Sequence, residues 1–267
     1  MRRVLTAAVL TALLSVVPVF EAGAIRYGQR DGGAHPYVGL LYSFISNEVG
    51  GYVCSGTLLS PTIFLTAAHC VVDDEITAYL VTVQERPLEA PQIEWVAGTA
   101  YAHPEYDPRT LANDIAVVVL DQPIELDQYG ELPEAGFLDT LDTSRGTKDV
   151  YFTAVGYGLQ DSQNPLARRP TLPWDLARYQ GQQQLVTLRS AIVRDQTIAL
   201  TNAPGIGTGG SGTCSGDSGG PILWQDTNVV IAINSFGIAP YCRGNDYAYR
   251  TDIDAARAFL ALFVDVP

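Results

Sequence analysis

Short apolar runs recur along this chain, and nearly all have the length of a strand. Val38 to Ile45, Gly51 to Leu59 and Ile63 to Ala68 come first, followed by Ala78 to Gln84, Gln92 to Ala97 and the unbroken stretch Ile115 to Leu120. Gly, Pro, Asn or Ser bounds them, the residues that turn a chain. A second series opens at Val150 to Val155 and continues through Gln184 to Ile192, Gln196 to Leu200, Ile222 to Trp224, Val229 to Phe236 and Tyr247 to Arg250. Between the two, Asp121 to Gly136 is acidic, carries Pro123, Gly130 and Pro133, and reads as a linker. Only the tail changes period. Ile253, Ala256, Phe259, Leu260 and Phe263 fall on one helical face, and Thr251-Asp252-Ile253-Asp254 has the form of a capping box with Asp in place of Glu. Two series of short strands ended by one helix predict an all-β chain of two barrels or sandwiches side by side. No internal sequence repeat accompanies them.

The front of the chain is different in kind. Met1-Arg2-Arg3 precedes an apolar run from Val4 to Phe20, and Ala22-Gly23-Ala24 closes it. A basic start, an apolar middle and small residues at the last and third-last positions predict a secretory signal peptide over 1–24, cut after Ala24. Export sets the expected compartment, extracellular or periplasmic, with no membrane attachment once the leader is removed. Removing Arg2, Arg3 and Glu21 takes the net charge from −13 to −14. So acidic a chain argues against nucleic acid and anionic lipid as partners. Four cysteines, Cys54, Cys70, Cys214 and Cys242, in an exported chain predict two disulfides, with three pairings open. A zinc site is disfavoured, because no Cys-x-x-Cys or His-Glu-x-x-His spacing occurs. Asp73-Asp74-Glu75 lacks calcium-loop spacing and reads as a solvated turn.

Three stretches carry chemistry. Gly216-Asp217-Ser218-Gly219-Gly220-Pro221, reached through the small-residue run Gly205 to Gly212, cannot form a good helix or central strand and so specifies a tight turn around Ser218. Glycines there let a ligand approach and let backbone N–H groups converge on a developing oxyanion. Thr66-Ala67-Ala68-His69-Cys70 places His69 at the end of the third predicted strand. Asn113-Asp114-Ile115 places a carboxylate at the mouth of a β-branched strand, where it is either a cap or the partner that holds an imidazole in one tautomer. His103, in the turn-rich stretch Tyr101 to Arg109, reads as structural or exposed.

Taken together, Thr-Ala-Ala-His-Cys, Asn-Asp-Ile-Ala-Val and Gly-Asp-Ser-Gly-Gly-Pro, in the order His, Asp, Ser, resemble the trypsin/chymotrypsin family of serine proteases, here with a leader of bacterial type. The resemblance runs from Ile25 to the terminal helix. It implies two six-stranded antiparallel β-barrels with a C-terminal α-helix, divided as 25–136 and 137–267. It implies His69, Asp114 and Ser218 as base, orienting acid and nucleophile, with an oxyanion hole at Gly216 and Ser218. Cys54 would pair with Cys70, and Cys214 with Cys242. It implies activation when a new N-terminus at Ile25 pairs with Asp217, although Arg26-Tyr27 stands where the family prefers Val-Gly. The specificity pocket would draw on Gly212, Thr213, Ser235, Gly237 and Tyr247. With Gly212 where members that bind Lys or Arg carry Asp, and Tyr247 narrowing the floor, cleavage after apolar residues is expected. No cofactor is implied; protein or peptide substrates and a monomer are. Two other readings use the same residues: a catalytically silent binding protein on this fold, and an esterase.

Overall fold

The structure is a computed structural model that describes residues 25–46, 50–141, 150–160, 174–188, 195–202, 210–239 and 242–267. The predicted leader, the basic Arg168-Arg169-Pro170 and most of the Gly205 to Gly212 run lie outside the described residues.

The apolar runs of the first series close on one another. Strands β2 (Val38–Ser46), β3 (Gly50–Leu58), β4 (Ile63–Thr66), β5 (Ala78–Thr82), β6 (Val96–Ala102) and β7 (Ala116–Leu120) form a closed antiparallel barrel in the order β2-β3-β4-β7-β6-β5, preceded in the chain by a short β1 (Gln29–Arg30). Phe64, Leu65 and Ala116 to Val118 have no exposed surface where β4 and β7 pair side by side in this wall. The second series, β8 (Tyr151–Gly156), β9 (Tyr179–Thr187), β10 (Thr197–Asn202), β11 (Pro221–Trp224), β12 (Val230–Ala239) and β13 (Arg243–Arg250), closes in the order β8-β9-β10-β13-β12-β11. Each barrel therefore has six antiparallel strands. The tail is a single α-helix, α1 (Asp254–Leu260). No helix among the described residues is long and apolar enough to cross a membrane.

Several details differ from the sequence reading. Strand β6 starts at Val96, not Gln92, since its small residues pair with β5 and β7 rather than announcing a strand by themselves. β9 begins at Tyr179, five residues ahead of the expected Gln184, in a glutamine-rich stretch. The capping box is not made: Thr251 Oγ1 donates to the Val230 carbonyl, and Ile253 caps α1 without a side-chain bond. The helix packs on the first barrel through Phe259, 5.3 Å from His103 between ring centroids, and the turn after the helix adds Phe263, 5.5 Å from Tyr101. His103 is buried there and accepts from the Glu105 amide, which is a structural role.

Although the leading segment precedes the first barrel, β1 pairs with β9 of the second. Asp31 next to it holds the two barrels together. Its Oδ1 faces His35 Nδ1 at 2.6 Å and its Oδ2 accepts from Arg178 Nε at 2.9 Å. Arg178 also donates to the carbonyls of Val38 (2.9 Å) and Val83 (3.0 Å) in the first barrel and to the Tyr157 hydroxyl (3.1 Å) in the second. Burial pushes the Asp31 carboxyl up, but the His35 hydrogen bond and the Arg178 charge outweigh it and hold the carboxyl below its ordinary range. Removing one partner of such a pair strands the other. Arg178→Met is therefore expected to destabilise the protein by about 3–5 kcal/mol, measured by urea unfolding, and adding Asp31→Asn is expected to recover part of that loss.

Candidate active site

The site lies where the two barrels meet. β4 ends at Thr66, and the small, fully buried Ala67 and Ala68 let the chain tighten into a 3₁₀ turn over Ala68–Cys70. His69 therefore sits on this turn rather than at a strand end, and the Cys54–Cys70 disulfide ties the turn to β3. Asp114 is held on the opposite side. Asn113 adopts φ 54°, donates from its side chain to the Glu105 carbonyl and accepts from the Tyr249 hydroxyl, while Ile115 anchors the other flank with no exposed surface.

Asp114 is saturated with donors. Its Oδ1 accepts from the His69 amide at 2.9 Å; its Oδ2 faces His69 Nδ1 at 2.8 Å and accepts from Ser235 Oγ at 2.5 Å. The carboxylate is wholly enclosed, whereas 28% of the His69 side chain is exposed. A buried carboxylate on Nδ1 keeps that nitrogen protonated and leaves Nε2 as the basic, accessible one.

The Ser218 turn is clamped from the first barrel. Ser55 of β3 donates from its amide to the Ser218 carbonyl (2.8 Å) and from its hydroxyl to the Gly216 carbonyl (2.8 Å). Gly216 at φ 98° and Gly219 at φ 78° occupy backbone conformations that favour glycine, and a Cβ on Gly219 would meet the Ser55 carbonyl at 2.5 Å. The amides of Asp217, Gly219 and Gly220 donate to Cys214, Asn234 and Asp217 carbonyls. Among the described residues, nothing takes the amides of Gly216 and Ser218. Two free donors beside a serine suit a developing oxyanion.

Asp217 points the other way, into the protein. Its Oδ1 accepts from the Gly158 amide (2.8 Å) and its Oδ2 from the Cys214 amide (2.9 Å). Gly156-Tyr157-Gly158 wraps it closely: a Cβ on Gly156 would come within 2.3 Å of its carboxyl. Burial pushes this carboxyl up to about 7, against the pull of both amides, and the Asp246 charge adds to the rise. Ile25 is also fully buried, and Arg26 bridges Gly212 by bonds of 2.7 and 3.0 Å, two residues ahead of Cys214. The unusual Arg26 is accommodated by a bond from its guanidinium to the Cys242 carbonyl at 2.6 Å and by the Tyr27 ring beneath it.

A cavity of about 250 Å³ opens beside Ser218, lined among others by Thr213, Ser235, Gly237 and the Cys214–Cys242 disulfide. Two residues expected in it are elsewhere. Gly212 is covered by the Asn202 side chain, whose Oδ1 lies 1.8 Å from where a Cβ at 212 would be. Tyr247 stacks on Phe236, ring centroids 4.8 Å apart and 8° from parallel, and does not line the cavity. Its neighbour Asp246 does. Asp246 is the residue the sequence reading missed, and strand alternation was the available signal: if Tyr247 faces away, Asp246 faces in. The cavity lining therefore includes a carboxyl group. Burial pushes the Asp246 carboxyl up to about 6, opposed by hydrogen bonds from Thr213, Asn202 and Gln183.

Cys54, His69 and Cys70 bring possible ligand atoms within 4.8 Å of one another, but both sulfurs are spent in the disulfide and provide no thiolate.

The family profile described as Trypsin matches residues 27–260. Brachyurin of Leptuca pugilator is 32% identical over 72% of this chain and 78% of its own length. Chymotrypsin-C of Bos taurus is 29% identical over 74% of the chain and 73% of its own length. The chain spans only 58% of phenoloxidase-activating factor 3 of Holotrichia diomphalia, at 27% identity. Among solved structures, HL collagenase superposes with a TM-score of 0.68 at 21% identity, covering 89% of this chain and 97% of that one, which speaks for the fold.

Proposed function

This chain belongs to the trypsin family, and we propose that it is a secreted serine endopeptidase in which His69, Asp114 and Ser218 hydrolyse peptide bonds through an acyl-enzyme. The observation that carries this reading is the enclosed Asp114 carboxylate on His69 Nδ1, backed by Ser235. In the proposed reaction His69 Nε2 takes the Ser218 proton as Oγ attacks the scissile carbonyl, and Asp114 stabilises the imidazolium that forms. The Gly216 and Ser218 amides receive the oxyanion. His69 then returns the proton to the leaving amine, and water repeats the cycle on the ester. The test is covalent labelling by a fluorophosphonate together with turnover of matched peptide and ester substrates. Labelling without peptide turnover points to an esterase, and no labelling at all to a binding protein.

The activation pair is part of the same reading. Asp217 is a buried carboxylate with only neutral donors on it, and Ile25 is buried one residue ahead of the Arg26–Gly212 bridge. We take the ammonium of a new N-terminus at Ile25 as its counter-charge, a switch rather than a source of stability. Without that ammonium the folded carboxyl, at about 7, lies above its ordinary value of 3.8, so the folded state holds the proton longer and stability falls as pH rises through that interval. With the ammonium the shift is reversed and this loss disappears. Of two Ser218→Ala proteins, one starting at Ile25 and one keeping residues ahead of it, the extended form is expected to lose more melting temperature between pH 4.5 and 7.5. Identical slopes would sink the pairing.

A further inference from the structure

We propose that the Ser55 hydroxyl, carried on β3 of the first barrel, positions the reaction: it sets the angle at which the Gly216 and Ser218 amides converge on the substrate oxygen. The inference rests on the peptidase reading above and adds a residue that itself touches neither the substrate nor the travelling proton. Ser55 has no exposed surface. β4 pairs with β3 only at Thr57 and Leu58, so at Ser55 the edge of β3 is open towards the second barrel. The Ser55 amide donates across that gap to the Ser218 carbonyl at 2.8 Å, and its carbonyl accepts from the Thr66 hydroxyl at 2.9 Å, where β4 runs into the His69 turn. One residue thus ties the turn of the proposed base to the turn of the proposed nucleophile.

The hydroxyl has a single proton to give. The Tyr157 amide lies 3.0 Å from Ser55 Oγ, and an amide N–H can only donate, so that contact takes a lone pair and leaves the proton for the Gly216 carbonyl at 2.8 Å. Among the described residues no other hydrogen bond reaches that carbonyl. The direction of the Ser55 bond is therefore fixed by its neighbour in the second barrel.

What that bond holds is the peptide unit between the two oxyanion donors. The unit before it ends in the Gly216 amide and the unit after it ends in the Ser218 amide, so the tilt of the Gly216–Asp217 peptide decides whether both N–H groups point to one place. It is gripped at both ends, by the Asp217 amide on the Cys214 carbonyl at 3.0 Å and by Ser55 on the Gly216 carbonyl. Gly216, at φ 98°, has no side chain to resist rotation. None fits there, since a Cβ would meet the Trp174 ring at 2.8 Å and Gly158 Cα at 2.9 Å. Stiffness at this position has to come from a hydrogen bond outside the turn, and Ser55 supplies it. The Ser218–Gly219 peptide is held in the same way, by the Ser55 amide at one end and the Asn234 carbonyl at the other.

Ser55→Ala is expected to lower kcat about 30-fold with KM within about twofold, because the substrate binds as before and only the transition state meets misplaced donors. The deciding readout uses a trifluoromethyl ketone built on the peptide that the protein cleaves fastest. Ser218 Oγ adds to the ketone carbon, its proton passes to His69, and the hemiketal oxygen sits between the two amides, where fluorine NMR follows its titration. In Ser55→Ala that titration is expected to move upward by more than about one pH unit. Arg178→Met, which weakens the fold elsewhere, is expected to leave it in place. An unchanged kcat, or a lower kcat with the hemiketal titration unmoved, overturns the proposal and leaves the peptidase reading standing. A wild type that neither reacts with a fluorophosphonate nor turns over peptide overturns that reading itself. Should Ser55→Ala misfold, Ser55→Cys decides, since a thiol keeps the shape of the side chain but donates weakly: an upward shift of the hemiketal titration supports Ser55, and a wild-type value refutes it.

Discussion

A Ser218→Ala protein is expected to retain its fold and to lose about 10⁶-fold in kcat. The size follows from what alanine removes. Without Oγ there is no acyl-enzyme, and His69, however well held by Asp114, has no proton to move. The two act as a unit, so His69→Ala alone is expected to cost about as much, and the double variant little more. What survives is expected to exceed the uncatalysed rate by about 10³–10⁴-fold, because the Gly216 and Ser218 amides still converge on a bound carbonyl. The turn itself should persist, since its clamps are the Ser55 bonds to the carbonyls of Ser218 and Gly216, which the substitution leaves in place. Steady-state turnover of one peptide, with melting curves of each variant, checks both statements. A loss of less than about tenfold would remove Ser218 from the reaction.

Asp114→Asn is expected to lower kcat by about 10⁴-fold at neutral pH with little change in KM. The side chain keeps its shape, and Oδ1 can still accept from the His69 amide. The change lies at the other atom. Where Oδ2 now faces both His69 Nδ1 and the Ser235 hydroxyl, an amide NH₂ would present hydrogens. The imidazole then favours protonation at Nε2 and cannot accept the Ser218 proton. NMR of the His69 ring nitrogens should show that exchange of tautomers alongside the kinetic loss. Full activity in Asp114→Asn would mean that the carboxylate only caps its strand.

Elements legible in the sequence share a physical property: their signal is local. β4 and β7 are enclosed on both faces, and buried strands must be apolar whatever they touch. Gly216 and Gly219 beside Ser218 are required by backbone conformation within the turn itself. β9 shows the opposite case. Tyr-Gln-Gly-Gln-Gln-Gln has no apolar alternation, and Gln183 is buried because it reaches Asp246 and the Thr201 carbonyl, partners far along the chain. Likewise Thr251 has the chemistry of a helix cap, but a β12 carbonyl competes for its hydroxyl and wins.

By itself the sequence determined the two strand series, the terminal helix and the three motifs that place His69, Asp114 and Ser218 within one reading. These depend on residue type and near neighbours. Only the tertiary structure decided that Arg178 locks Asp31 and His35 between the barrels, that β1 joins the second sheet, and that Asp246 rather than Tyr247 meets the cavity. The last turns on strand phase. Side chains alternate faces at every residue, so a reading that is off by one exchanges an aromatic floor for a carboxylate, and only pairing with β12 across Gly237 sets that phase.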